Sequence, residues 1–164
     1  MGRVDSVIKA PGRLTAAEFR LFCEFVRHGD EVQGHGLEDR VKDAKALVLL
    51  QVNSELVGIA AIKQPFKTYR DGVFKKAGVP EAAEAFQLEL GWVYVPPEHR
   101  RQGYSRALSI AAMSQADRKP TFATTRLDNV AMPRTLENLG FRRLGDSWRS
   151  DRGKKPRLVL YTKM

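Results

Sequence analysis

One stretch of this chain limits its fold more than any other. Leu88-Glu89-Leu90-Gly91-Trp92-Val93-Tyr94-Val95 is rich in β-branched and aromatic residues, and Pro96-Pro97 stops it. The run Glu98-His99-Arg100-Arg101-Gln102-Gly103-Tyr104-Ser105 follows, and a helical pattern extends from about Tyr104 to Asp117. A strand therefore leads through a basic, glycine-bearing loop directly into a helix. Tyr104, Ala107, Leu108, Ala111 and Ala112 share one face of that helix. Its small alanines allow close seating on a sheet.

The flanking patterns fill in an α/β chain. Thr15 and Glu18 form a capping box after Pro11-Gly12, and Phe19, Phe22, Cys23 and Val26 recur at helical spacing, which predicts a helix over 15–28. Leu37 and Val41 predict a shorter helix near 36–44. Residues 46–52 read as a buried strand, Asn53-Ser54 as a turn, and 55–62 as the hairpin partner. Pro65, Gly72, Gly78 and Pro80 punctuate two short helical patterns, around 69–77 and 80–86. A strand over 121–127, a short helix over 131–139 ended by Gly140, and strands at 141–149 and 157–163 complete the chain. The expected order is two helices, two strands, two short helices, then strand, helix, strand, helix and two strands, in one mixed α/β domain over 1–164.

Composition narrows the function classes. The 164 residues suit one domain, with 43% hydrophobic and 29% charged residues, so a packed core is expected. No apolar stretch approaches the length of a membrane span. Residues 1–5 lack the apolar region of a secretory signal, which with one thiol points to the cytosol. Met1-Gly2 with Ser6 matches the bare myristoylation pattern without a second membrane signal. Cys23 is the only cysteine, and His28, His35 and His99 are scattered. No metal site is expected. The net charge is +9, and residues 142–164 hold eight Lys and Arg against two Asp. That run reads either as a solvated terminal hairpin or as an anion-facing surface. Aromatics do not interleave it at a stacking rhythm, so its nucleic-acid signal is weak.

The chemistry sits at the strand–loop–helix junction. Free amides at a helix start, together with the helix dipole, make an anion site suited to a diphosphate. Gly103 lets the backbone approach a bound group, and Arg100 and Arg101 add positive charge.

Arg100-x-x-Gly103-x-Ser105 resembles the diphosphate-holding motif of the GNAT superfamily of N-acetyltransferases, [QR]-x-x-G-x-[GA], with Ser in the last position. Glu89 to Arg100 is similar to that family's fourth strand and its exit. Asn129, eleven residues before Gly140-Phe141, resembles the Asn…Leu-Gly-Phe segment of the fourth helix and sixth strand. The resemblance runs over about 46–64 and 87–145, and residues 65–86 look like an insertion.

The resemblance implies an α/β fold whose mixed central sheet has splayed fourth and fifth strands flanked by helices. It implies acetyl-CoA as cosubstrate and direct acyl transfer to an amine. The pantetheine arm would pair with main-chain groups of Val93, Tyr94 and Val95 in that splay. The diphosphate would sit on the amides of Arg101, Gln102, Gly103, Tyr104 and Ser105, beside Arg100. Asn129 is either a pantetheine neighbour or a helix cap. Glu89 stands eleven residues before Arg100, close to where the histone-acetylating branch places its catalytic glutamate. As general base it would take a proton from the attacking ammonium, often through a water; otherwise it pairs with a Lys or Arg on a neighbouring strand. The tyrosine that commonly protonates the departing thiolate is replaced by Leu136, so either another group, with Tyr94 and Tyr104 as candidates, or water is the acid.

Phe66, Tyr69, Phe74 and Phe86 either line the acceptor side or pack the 65–86 segment. Lys63, Lys67, Arg70, Lys75 and Lys76 make that region basic, which favours an acceptor with negative groups over a polycation. Cys23 reads as core. Two alternatives remain: a binding module that holds CoA or an acidic partner without turnover, and an acyltransferase acting on nucleic acid.

Overall fold

The computed structural model describes residues 3–29, 36–151 and 154–164. The Met1-Gly2 pattern, His35 and Arg152 lie outside the described residues. Among them the chain forms seven strands, in the order β1-β2-β3-β4-β5-β7-β6, and five α-helices. The sheet is mixed: β4 and β5 run parallel, and the other registered pairs are antiparallel. Contacts divide the chain into two compact units, and the division falls inside β4.

The first unit comprises residues 1–63 and 90–115. It holds β1 (Val4–Lys9), α1 (Ala16–Gly29), α2 (Leu37–Lys42), β2 (Ala46–Val52), β3 (Glu55–Lys63), most of β4 (Leu88–Tyr94) and α4 (Tyr104–Met113). The predicted capping box starts α1: Glu18 N–H donates to Thr15 Oγ1 at 3.1 Å, and Thr15 N–H to Glu18 Oε1 at 2.8 Å. Phe22, Cys23 and Val26 of α1 pack with Leu37 and Val41 of α2 on Leu47, Leu49, Ile59 and Ala61 of the sheet. The hairpin turn uses positive φ at Asn53 (50°) and Ser54 (69°). A Cβ at Gly58 would lie 2.7 Å from Leu108 of α4 and 3.2 Å from the Tyr94 carbonyl. The close helix seating expected from small alanines is thus also bought on the sheet side by a glycine.

Several elements differ from expectation, β1 and the end of α4 most of all. β1 was not foreseen, because Val-Asp-Ser-Val-Ile-Lys is short and mostly exposed. It exists by pairing, from Val4↔Val52 to Lys9↔Leu47, and such an edge strand draws on its neighbour more than on its own propensity. α4 stops at Met113, short of Asp117. Ser114 Oγ donates to the Ala111 carbonyl at 2.6 Å, and Asp117 and Arg118 take left-handed φ of 54° and 59°.

The second unit comprises residues 64–89 and 116–164. It contains α3 (Lys67–Lys76), a 3-10 turn over Pro80–Ala85, the start of β4, β5 (Thr121–Arg126), α5 (Ala131–Asn138), β6 (Arg142–Arg149) and β7 (Arg157–Lys163). Its core joins Val73, Phe74 and Phe86 to Phe122, Trp148 and Leu160. Phe74 stacks on Phe86 at 5.5 Å and meets Phe122 edge-on at 5.3 Å. Parallel pairing of β4 with β5 covers Leu88↔Thr121 and Glu89↔Phe122 and ends there, although both strands continue.

Candidate functional site

In the first unit, β4 ends at Tyr94 and the chain turns through a 3-10 turn over Pro97–His99. Proline at the turn's start costs no bonded N–H. Arg100 Nε donates to the Val95 carbonyl at 2.9 Å and so ties the loop to the strand end. Arg101, Gln102 and Gly103 are exposed. Arg101 (65°) and Gly103 (78°) both adopt left-handed φ. Gly103 is the N-cap of α4, has no side-chain capping bond, and would leave a Cβ with no heavy atom within 4 Å. The first amides of α4 have no carbonyl one turn back within the helix. Ala107 N–H begins the regular ladder by donating to the Gly103 carbonyl at 3.1 Å. Uncapped amides, the dipole of a ten-residue helix and two arginines make a cradle that fits a diphosphate.

Inside β4, Trp92 holds φ of 51°, a conformation that bulky residues adopt only where packing imposes it. The Phe22 ring meets it edge-on at 6.0 Å, and Lys63 Nζ lies 4.5 Å over its face. At Gly91 beside it a Cβ would come within 2.6 Å of Lys63 Cδ, so a side chain there would displace the lysine. This irregularity lies inside β4, just before Val93, and its sole sequence signal is Gly91 within a strand pattern. Val93 and Tyr94 are half-buried and Val95 is buried. Tyr94 packs edge-on against Phe25 at 6.2 Å. Trp92 and Tyr94 thus share the α1 side, as strand alternation predicts. Tyr104 and Ser105 are half-buried at the start of α4, where the Ser105 carbonyl accepts from Ser109 Oγ at 2.8 Å.

Glu89 lies in the second unit at the last paired position of β4 and is 3% exposed. Its Oε2 accepts a hydrogen bond from the Tyr69 hydroxyl of α3 at 3.1 Å. The 65–86 aromatics divide: Phe74 and Phe86 belong to the core, whereas Phe66 (63%) and Tyr69 (40%) face solvent. Within α3, the buried guanidinium of Arg70 donates to Asp71 Oδ1 at 3.0 Å, and Lys67 Nζ lies 2.6 Å from Asp71 Oδ2. Hydrogen bonds from Lys67 and Arg70 hold the Asp71 carboxyl below its ordinary range. The predicted basic character of this segment is therefore partly spent inside it.

Asn129 Oδ1 accepts from Met132 N–H at 3.0 Å, the capping alternative. Leu136 is fully buried. Cys23 is 2% exposed, and burial pushes its thiol up. It borders a groove of about 690 Å³ with Leu14, Phe19, Arg20 and Lys42 that includes none of the predicted site residues. Among the described residues no group of three or more His, Cys, Asp or Glu could hold a metal, and no helix is long and apolar enough to cross a membrane.

A strand that leads through a left-handed loop into an uncapped helix is the local arrangement on which the comparisons with known proteins bear. The chain belongs to the acetyltransferase (GNAT) family, whose model matches residues 14–141. Similar solved structures include an acyl-CoA N-acyltransferase from Pseudomonas aeruginosa, at 14% identity and TM-score 0.66, covering 99% of this chain and 100% of that one. Another is yncA from Salmonella typhimurium, solved with its cofactor acetyl-CoA, at 17% identity and TM-score 0.65 over 96% and 92% of the two chains. A third is Arabidopsis thaliana Naa50 in complex with a CoA-peptide bisubstrate analogue, at 10% identity and TM-score 0.68 over 97% and 98%. No curated protein matches the chain in sequence.

Proposed function

We propose that this protein is an N-acetyltransferase that moves an acetyl group from acetyl-CoA to a primary amine by direct attack. The observation that carries the reading is the exposed left-handed loop at Arg101 and Gly103 opening on the uncapped start of α4. The amides of Arg101 to Ser105 hold the diphosphate, and Arg100 and Arg101 balance its charge. Main-chain groups of Val93 to Val95 align the pantetheine arm, and a β4 amide near Val93 polarises the thioester carbonyl. Acetyl-CoA supplies an activated acyl group with a thiolate leaving group. Placement of the two reactants provides most of the acceleration. Glu89 is the general base for the ammonium, and Tyr94 or Tyr104 serves the thiolate as acid. The acceptor bears a negative group, in keeping with the lysines of the 65–86 segment.

Saturating acetyl-CoA should raise the melting temperature, and Gly103→Glu should abolish the rise by placing a carboxylate where the diphosphate sits. Thiol release should then be measured with amino acids, polyamines and peptides bearing a free α-amino group. Absence of any thermal shift overturns donor binding. A shift without thiol release from the whole panel turns the reading to a binding module.

A further inference from the structure

Glu89 is a poor match for a base that meets its substrate directly. Its side chain belongs to a residue 3% exposed, at the end of the β4–β5 pairing. Its contact with a more accessible group is Tyr69, 40% exposed, whose hydroxyl donates to Glu89 Oε2 at 3.1 Å. The phenol is one atom pair away from the carboxylate and carries the exposed surface that the carboxylate lacks. α3, which bears Tyr69, is fixed by Val73 and Phe74 in the core. The hydroxyl therefore keeps a set position.

From this geometry we infer that Tyr69 is the group that touches the acceptor and relays its proton to Glu89. The inference rests on the reading above, with Glu89 as the base. In the step, an N–H bond of the acceptor ammonium breaks as its proton passes to Tyr69 Oη. The phenolic proton passes at the same time to Glu89 Oε2. The amine keeps the N–H electron pair and becomes the neutral nucleophile, Tyr69 ends as it began, and Glu89 ends neutral. No oxidant, metal or further reactant is needed. A relay of this kind lets the carboxyl group of Glu89 stay in the interior while the acceptor never has to enter it.

The test uses the full chain, acetyl-CoA and the panel amine that gives the fastest thiol release. Tyr69→Phe keeps the ring and removes the relay oxygen. It should lower kcat on the order of 100-fold near neutrality, with the KM for acetyl-CoA and the acetyl-CoA thermal shift unchanged. The loss should close as pH rises past the amine's own pKa, because the acceptor then arrives neutral. The double variant Tyr69→Phe/Glu89→Gln should be no slower than either single one, since members of one relay fail together. Wild-type kcat in Tyr69→Phe with a crippled Glu89→Gln overturns the relay and leaves the base in place. A Tyr69→Phe loss equal at every pH, or losses that multiply in the double variant, overturns the relay in favour of a packing role. Wild-type kcat in both single variants overturns Glu89 as base, and the relay with it.

Discussion

At residue 145 the backbone has no space for a β carbon: one built there would collide with the Ala77 carbonyl, and the φ is +74°. Gly145 begins a stretch where the β6–β7 register slips between Leu144 and Trp148, and Asp146 N–H donates to the Ala77 carbonyl at 2.8 Å. Only glycine meets both demands. Gly145→Ala should therefore cost about 2–4 kcal/mol by chemical denaturation, from left-handed strain plus overpacking. Cys23 makes a second prediction at this scale. Its thiol is buried and held above its ordinary value. The stability it contributes is complete below the thiol's ordinary pKa and is lost as pH rises through the raised one. Iodoacetamide should label native Cys23 slowly at neutral pH and readily in denaturant, as mass spectrometry would show. Of the singled-out residues, Cys23 was readable as an apolar position in a helical pattern. Gly145 and Trp92 were not, because what confines them is a carbonyl or a ring brought from elsewhere in their unit.

Among the elements, α1 was the most legible. Its signal is local: Thr15 and Glu18 exchange two hydrogen bonds within one turn. Thr15→Ala should destabilise the protein by about 1 kcal/mol in urea titrations, and adding Glu18→Ala should cost less than the sum of the two, since each change removes half of one reciprocal unit. The backbone bond from Thr15 chiefly holds the Glu18 carboxyl below its ordinary range, despite some burial, with help from Lys9. Its stabilising effect is therefore present above the ordinary carboxylate pKa and is lost as pH falls through the depressed one, so wild type and Glu18→Gln should converge in stability in acid. β1 lies at the opposite extreme. It has no cap, no strong periodicity and little burial, and it exists because β2 offers a free edge. No reading confined to residues 4–9 could have found it.

For the whole molecule, ligand linkage and charge give measurable expectations. Acetyl-CoA at a hundred times its Kd should add about 2.7 kcal/mol, a rise of roughly 5–10 °C in a protein of this size. The +9 charge places Arg142, Arg143, Arg149, Lys154, Lys155 and Arg157 in exposed positions. Arg157 donates to Ser147 at 3.0 Å and Arg149 to the Lys155 carbonyl at 3.1 Å, so part of that charge braces its own hairpin. Retention on RNA should accordingly be weak and vanish at moderate salt; strong retention with a steep salt slope would revive a nucleic-acid acceptor.

The amino-acid order alone determined the alternation of helices and strands and the strand–loop–helix junction, because caps, turns and hydrophobic periods act over a few neighbouring residues. It also carried the family motif, whose glycine and arginines are adjacent in the chain. Folding in three dimensions decided the rest: the left-handed Trp92 inside β4, which aromatics of the 65–86 segment become core, and that Glu89 meets Tyr69, twenty positions away. Those outcomes depend on which surfaces exclude water from one another, and contacts between distant residues leave no local pattern to read.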